Sequence, residues 1–263
     1  MLNLVGSIVG MMAIGISLVA VTSVLPGSLA RRLVVAGIAG GWVGLATALG
    51  AAGLLAFSPG HPVPLVGVLF ATPLIAAGAL AVRYPGVRSA LMAIPMSLLI
   101  GLNSMRVLGV MFLLLAAQGR LSGPFPFSAG LGDIITGAFA IPLAVSVARS
   151  KMPSRGAIKR WNIFGALDLL VAVGLGITSA AGSPLHLIHA GVGSAAMQYL
   201  PFCLVPTVLV PFYLITHAIV AAQLCAARSD CSVRSLTRTS VVEASAARGL
   251  LHRPRIGHHR HDH

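Results

Sequence analysis

Two of the five acidic residues in this chain, Asp133 and Asp168, lie inside long apolar runs. Arg106 and His217 lie inside two other runs, with Asn103, Asn162 and Tyr213 near them in the chain. A charge at mid-bilayer costs about 2.5–3.5 kcal/mol even on the lenient insertion scale, so such residues face a bundle interior and find partners. Two kinds of chemistry follow. A buried ion pair can fix the register of two helices and do nothing else. A carboxylate near an imidazole can instead bind and pass on protons, as a transporter or channel needs.

Depth indicates which of these residues can meet. At about 1.5 Å per residue, Arg106 and Asp168 each lie roughly 18 Å from the outer end of their run, and His217 roughly 21 Å. That predicts an Arg106–Asp168 ion pair, with His217 at hydrogen-bonding reach or one water away. Asn103 precedes Arg106 by three residues and Tyr213 precedes His217 by four, so each shares its partner's face. Trp161 and Gly165 share the Asp168 face, and Asn162 does not. Asp133 lies only about 6 Å from the outer end of its run, which assigns it to an outer vestibule or to a first helical turn, where the dipole favours a carboxylate. Pro206 and Pro211 should kink the last run and free carbonyls near the cluster.

Other chemistries find no support. There is no His-Glu-x-x-His, no Gly-x-Ser-x-Gly and no P-loop, so no catalytic residue is assigned and an enzyme is not expected. The two lysines, Lys151 and Lys159, fall in a connection, which excludes a buried retinal Schiff base. One histidine in the apolar runs cannot supply two-histidine haem ligation. Cys203, Cys225 and Cys231 have neither disulfide nor zinc spacing and read as small apolar filler. No cofactor or metal is expected.

The elements that hold these residues follow from composition. The chain has 263 residues, of which 57% are hydrophobic and 9% charged. A soluble domain carries about 25% charged residues. An ordinary soluble enzyme, a disordered chain and a disulfide-stapled domain are all excluded. Seven runs are long enough to span a bilayer: about 4–25, 33–56, 63–82, 95–118, 129–148, 161–180 and 203–224. The expected fold is an all-α polytopic bundle of seven transmembrane helices over 1–225, with a basic, His-rich tail at 226–263. The first run reads as a retained helix and not as a cleaved signal, because no basic residue precedes it and Arg31 and Arg32 follow. Alternate connections are rich and poor in Arg and Lys, which puts the N-terminus outside and the tail in the cytoplasm of a bacterial inner membrane.

Smaller features complete the pattern. Gly6/Gly10, Gly37/Gly41 and Gly40/Gly44 are small-xxx-small spacings that predict close packing of the first two helices. Residues 184–200 are apolar but short, and read as interfacial or re-entrant on the outer side. The Arg residues of the tail favour anionic lipid headgroups. Ser240 and Glu243 form a capping-box pattern that could start a short helix through Leu251. The tail's last seven residues read as a solvated end. The net charge of +13 does not imply nucleic-acid binding, because no basic stretch is interleaved with aromatic residues.

Four segments have a familiar pattern: Arg106-Val-Leu-Gly109-Val-Met-Phe112-Leu113, Phe127-Ser-Ala-Gly130-Leu-Gly132-Asp133-Ile134, Trp161-Asn162-Ile-Phe-Gly165-Ala-Leu-Asp168-Leu169, and Leu200-Pro201 through His217. Together they resemble a group of bacterial multi-pass membrane proteins usually called hypothetical, over about residues 95–225. The resemblance implies a multi-pass membrane fold and no particular activity, cofactor or substrate. The strong bias to Arg over Lys fits a bacterial GC-rich genome. The functional expectation is small-solute or proton-coupled transport through a polar site between the fourth, sixth and seventh helices. The alternative is a non-transporting membrane-embedded subunit or sensor whose basic tail docks a partner. A third idea is an enzyme acting on a lipid or quinone, which would need a cavity open sideways to lipid at the level of Arg106.

Overall fold

The computed structural model describes residues 1–57, 65–150, 154–183 and 185–227. The chain forms two compact units, Met1–Ala222 and Gln223–His263. Of the second unit only residues 223–227 are described, and they are helical. The capping box and the His-rich end lie outside the described residues.

The architecture is all-α. In chain order the helices are α1 (Leu2–Val24), α2 (Leu29–Ala51), α3 (Leu65–Arg83), α4 (Pro85–Met92), α5 (Met96–Leu102), α6 (Val110–Ala117), α7 (Phe125–Arg149), α8 (Arg155–Thr178) and α9 (210–227). A 3-10 stretch, Asn103–Gly109, joins α5 to α6, and a π-helical turn, Val205–Leu209, leads into α9. Counted as spans, the described residues contain seven helices long and apolar enough to cross a membrane. The fourth span is Met96–Ala117 and the seventh is Val205–Ala227. Large apolar side chains point outward along these helices, among them Ile38, Ile75, Phe139 and Leu170. Such an exterior suits lipid and not water. The protein has the build of a multi-pass membrane protein.

Helices α2, α7 and α8 each begin at least four residues earlier than the apolar runs suggest. Helix α7 starts at Phe125, where Pro126 occupies the first turn without loss of a hydrogen bond. Helix α8 starts at Arg155, capped by the Ser154 hydroxyl, which accepts from the Ala157 N–H. Its first six residues include Arg155, Lys159 and Arg160, so a hydropathy reading passes over them. Helix α4 is a short amphipathic piece that begins at Pro85 in the gap after the third span.

Glycine packing is real but lies elsewhere than expected. A Cβ added at Gly10, Gly37, Gly40, Gly41 or Gly44 would meet nothing within 4 Å, so these residues do not make a tight contact between α1 and α2. Gly6 packs against Phe202 instead. The close approach is between the fourth span and α7. A Cβ on Gly109 would lie 2.5 Å from the Asp133 Cβ, and one on Gly137 would lie 2.6 Å from the Val107 nitrogen. Gly130, Gly137 and Ala144 recur every seven residues along α7, so one stripe of small residues faces the fourth span.

The last span departs from α-helical hydrogen bonding near its prolines, in the π-helical turn Val205–Leu209. Pro211 has no N–H to offer Thr207 O, four residues back. The Trp42 indole on α2 donates to that carbonyl at 3.1 Å. The freed carbonyl therefore anchors α2 to the seventh span. Residues 185–200 do not cross the bundle. They fold as turns and a 3-10 turn, Ala195–Gln198, at the end of the helices that also holds the 117–125 connection. Hydrogen bonds from Ser122 N to Gly193 O at 3.0 Å and from Gly193 N to Ser122 Oγ at 2.8 Å join the two connections.

Gly137→Ala should lower stability by about 1–3 kcal/mol, because the methyl group strikes backbone with no flexible neighbour to yield. Gly44→Ala, in open space, should be neutral or slightly stabilising. Thermal unfolding in detergent measures both. Equal melting temperatures for the two variants would contradict the packing described.

Candidate functional site

Arg106 is the centre of the site. It lies in the 3-10 stretch, is 2% exposed, and spreads its donors over three helices. Its Nε donates to Asp133 Oδ1 on α7 at 2.6 Å. Its Nη2 donates to Asp168 Oδ2 on α8 at 2.5 Å. Its Nη1 donates to Gly165 O on α8 and to His217 Nε2 on α9, each at 3.1 Å. The Tyr213 ring covers the guanidinium at 6.0 Å.

His217 is held from both sides. A guanidinium can only donate, so His217 Nε2 accepts from it and the ring proton lies on Nδ1. Nδ1 donates to Asn162 Oδ1 at 2.9 Å, and Asn162 Nδ2 donates to His217 O at 3.2 Å. These partners make the ring neutral. Trp161 stacks at a tilt 5.0 Å from the imidazole and donates its indole N–H to Thr136 O. Asn103 Nδ2 donates to Leu99 O and to Thr216 Oγ1.

Glycines make the room. A Cβ on Gly165 would lie 2.6 Å from His217 Cε1 and 2.8 Å from Thr136 Cγ2. A Cβ on Gly132 would overlap the Asp168 carboxylate. Asp168 can thus lie directly on the backbone of α7.

The expected Arg106–Asp168 pair is present, with His217 at hydrogen-bonding reach of its guanidinium as expected, and the placing of Asp133 needs correction. Asp133 is not separate from the cluster: it pairs with Arg106 and also borders a cavity. Helix α7 starts at Phe125, so Asp133 lies about 12 Å along it, level with Gly109. The long Arg106 side chain bridges the remaining turn. Asn162, assigned to another face than Asp168, is the partner of His217. His217 touches the guanidinium and Asn162, not a carboxylate. Asn103 and Tyr213 are buried beside the cluster as expected. Asn103 does so through Thr216 and not by binding Arg106. Thr136, Thr216, Gly132 and Gly165 complete the cluster. Of these, only Gly165 has a detectable signal in the sequence, one turn before Asp168.

Two cavities meet at Asp133. The larger, about 350 Å³, runs from Asp133 past Leu169 and four phenylalanines to Ser183, Ser194 and Gln198 in the 178–205 connection. The smaller, about 80 Å³, is walled by α1, Met105, Arg106 and Tyr213. Among the described residues no group of three or more metal-ligating side chains occurs.

Residues 63–225 match the family model described as a domain of unknown function, DUF8737. The chain belongs to the DUF8737 family. No curated protein and no solved structure matches it. The DUF8737 region contains the last five spans and every member of the Arg106 cluster, while α1 and α2 lie outside it. It begins about thirty residues before the resemblance read from the sequence, and so takes in α3 and α4.

Arg106→Met should destabilise the protein by about 3–5 kcal/mol, because it leaves two carboxylates buried without a cation. Adding Asp133→Asn and Asp168→Asn to that variant should recover a large part of the loss. Denaturation in detergent measures both. A triple variant no more stable than Arg106→Met would contradict the charge pairing.

Proposed function

We propose that this protein is a proton-coupled transporter of a small solute, with Asp133 and Asp168 as its proton-binding site. The observation that carries the reading is a charge count. Two carboxylates share one guanidinium, and the adjoining histidine is neutral by its hydrogen bonds. With both aspartates ionised the cluster would hold a net charge of −1 inside an apolar bundle, which is costly. One proton removes that cost. Binding and release of the proton then become the step to which a solute can be coupled.

The geometry around the cluster supports the same reading. The large cavity connects Asp133 to one end of the bundle. Toward the other end, the site is packed by Trp161, Asn162, His217 and Thr216. A polar site part-way through the bundle, reached from one side and plugged on the other, suits a carrier that alternates its access. We take the cavity side as the outer face of a bacterial inner membrane, because the connections there are poor in basic residues. The site involves four spans, with α7 added to the three expected. The alternative of a non-transporting subunit depends on the tail at 226–263, all but the first two residues of which lie outside the described residues. It also gives no role to a cavity that ends on an ionisable group.

The test uses purified protein in liposomes that enclose a pH-sensitive dye, challenged with a panel of small solutes. At least one solute should move protons through the wild type. Asp133→Asn and Asp168→Asn should abolish that movement while still inserting. Solute uptake without proton movement, or normal coupling in Asp168→Asn, would overturn the proposal.

A further inference from the structure

The walls of the large cavity and the charge at its inner end specify a class of ligand. We infer that the cavity binds a lipophilic monocation, an ammonium group on an apolar body, which competes with the proton for Asp133. The inference rests on the transport reading for the role of the site, but the binding it claims stands on the cavity itself.

Three observations carry it. The volume, about 350 Å³, falls within the range of about 300–1,000 Å³ typical of ligand sites. Among the described residues lining it, Asp133 is the only one with an ionisable side chain. Arg106 does not line it, although it lines the smaller cavity. The only formal charge presented to a ligand is therefore negative. Phe57, Phe70, Phe112 and Phe125 supply the walls, and the last two pack edge to face at 5.7 Å. Aromatic faces attract a cation and also accept its apolar body, whereas their negative faces disfavour an anion.

The carboxylate has capacity left. Asp133 Oδ1 accepts from Arg106, and among the described residues Oδ2 has no hydrogen-bond partner. The side chain retains 16% exposure although the guanidinium beside it has none. A cation at Oδ2 would bring the cluster to neutrality, as a proton does. Both cannot be held at once without a net positive charge. Cation binding therefore releases the proton to solvent, and no bond other than the carboxyl O–H is broken. Exchange of the two across the membrane would be antiport.

Benzyltrimethylammonium and its neutral carbon isostere, neopentylbenzene, separate charge from shape. Each is titrated calorimetrically into the full chain in lipid nanodiscs, with empty nanodiscs subtracted. The cation should bind at least tenfold more tightly than the isostere. Its affinity should fall as pH falls, because its own charge is fixed and the proton competes. Asp133→Asn should remove the tenfold preference. Ala172→Phe, which fills the cavity without touching Arg106, should weaken both ligands and serves if Asp133→Asn does not fold. Equal affinity for the two probes, or a cation preference that survives Asp133→Asn, would overturn the inference. The transport reading fails separately: cation binding without passage of cation or proton through liposomes would leave this site standing and remove the carrier.

Discussion

A guanidinium enclosed in an apolar bundle must use its donors on protein, because neither water nor lipid will satisfy them. Arg106 meets that constraint with two carboxylates, a carbonyl and an imidazole drawn from α7, α8 and α9. The 3-10 stretch that contains it, the two aspartates and the neutral histidine are arranged about this one group. Moving α7 or α8 away from the fourth span would strand a charge at a cost of several kcal/mol, and moving α9 would leave a guanidinium donor without its acceptor. The arginine fixes which faces of three helices look inward, and the surrounding side chains pack to that register.

The packing around it follows from the space such an arrangement leaves. Two helices that must bring Arg106 to both Asp133 and Asp168 cannot carry side chains between them. Gly109, Gly132, Gly137 and Gly165 are the positions where a Cβ would strike a partner. Glycine is costly in an isolated helix, but here it permits backbones to approach within reach of short aspartate side chains. The same closeness leaves room on the other side. The carboxylate of Asp133 borders a cavity lined by phenylalanine, so one group serves both the internal ion pair and the exposed wall.

Much of this was legible from residue type and depth. Seven apolar runs gave seven spans, and the depth of Arg106 matched that of Asp168 closely enough to predict their pairing. What failed did so for identifiable reasons. Asp133 was placed too far out because hydropathy sees where apolar residues begin and not where a helix begins; the first turn of α7 lies behind two prolines. Asn162 was left out of the cluster because helical periodicity, which sets it on another face than Asp168, does not show that a third helix, α9, fills the adjacent angle. The glycine spacings in α1 and α2 looked like a contact because the motif is local, whereas the stripe in use on α7 repeats every seven residues and includes an alanine. The cavity had no sequence signal, since its lining comes from five spans and two connections.

The central claim is that the two aspartates share one guanidinium and hold one exchangeable proton between them. Infrared difference spectroscopy on the protein in lipid, recorded across a pH titration, reads carboxyl protonation directly. One carboxylic acid C=O band should grow at low pH and vanish at high pH, and either Asp133→Asn or Asp168→Asn should abolish it or move it. A spectrum with no protonated carboxyl at any pH that preserves the fold, or a band indifferent to both substitutions, would contradict the claim.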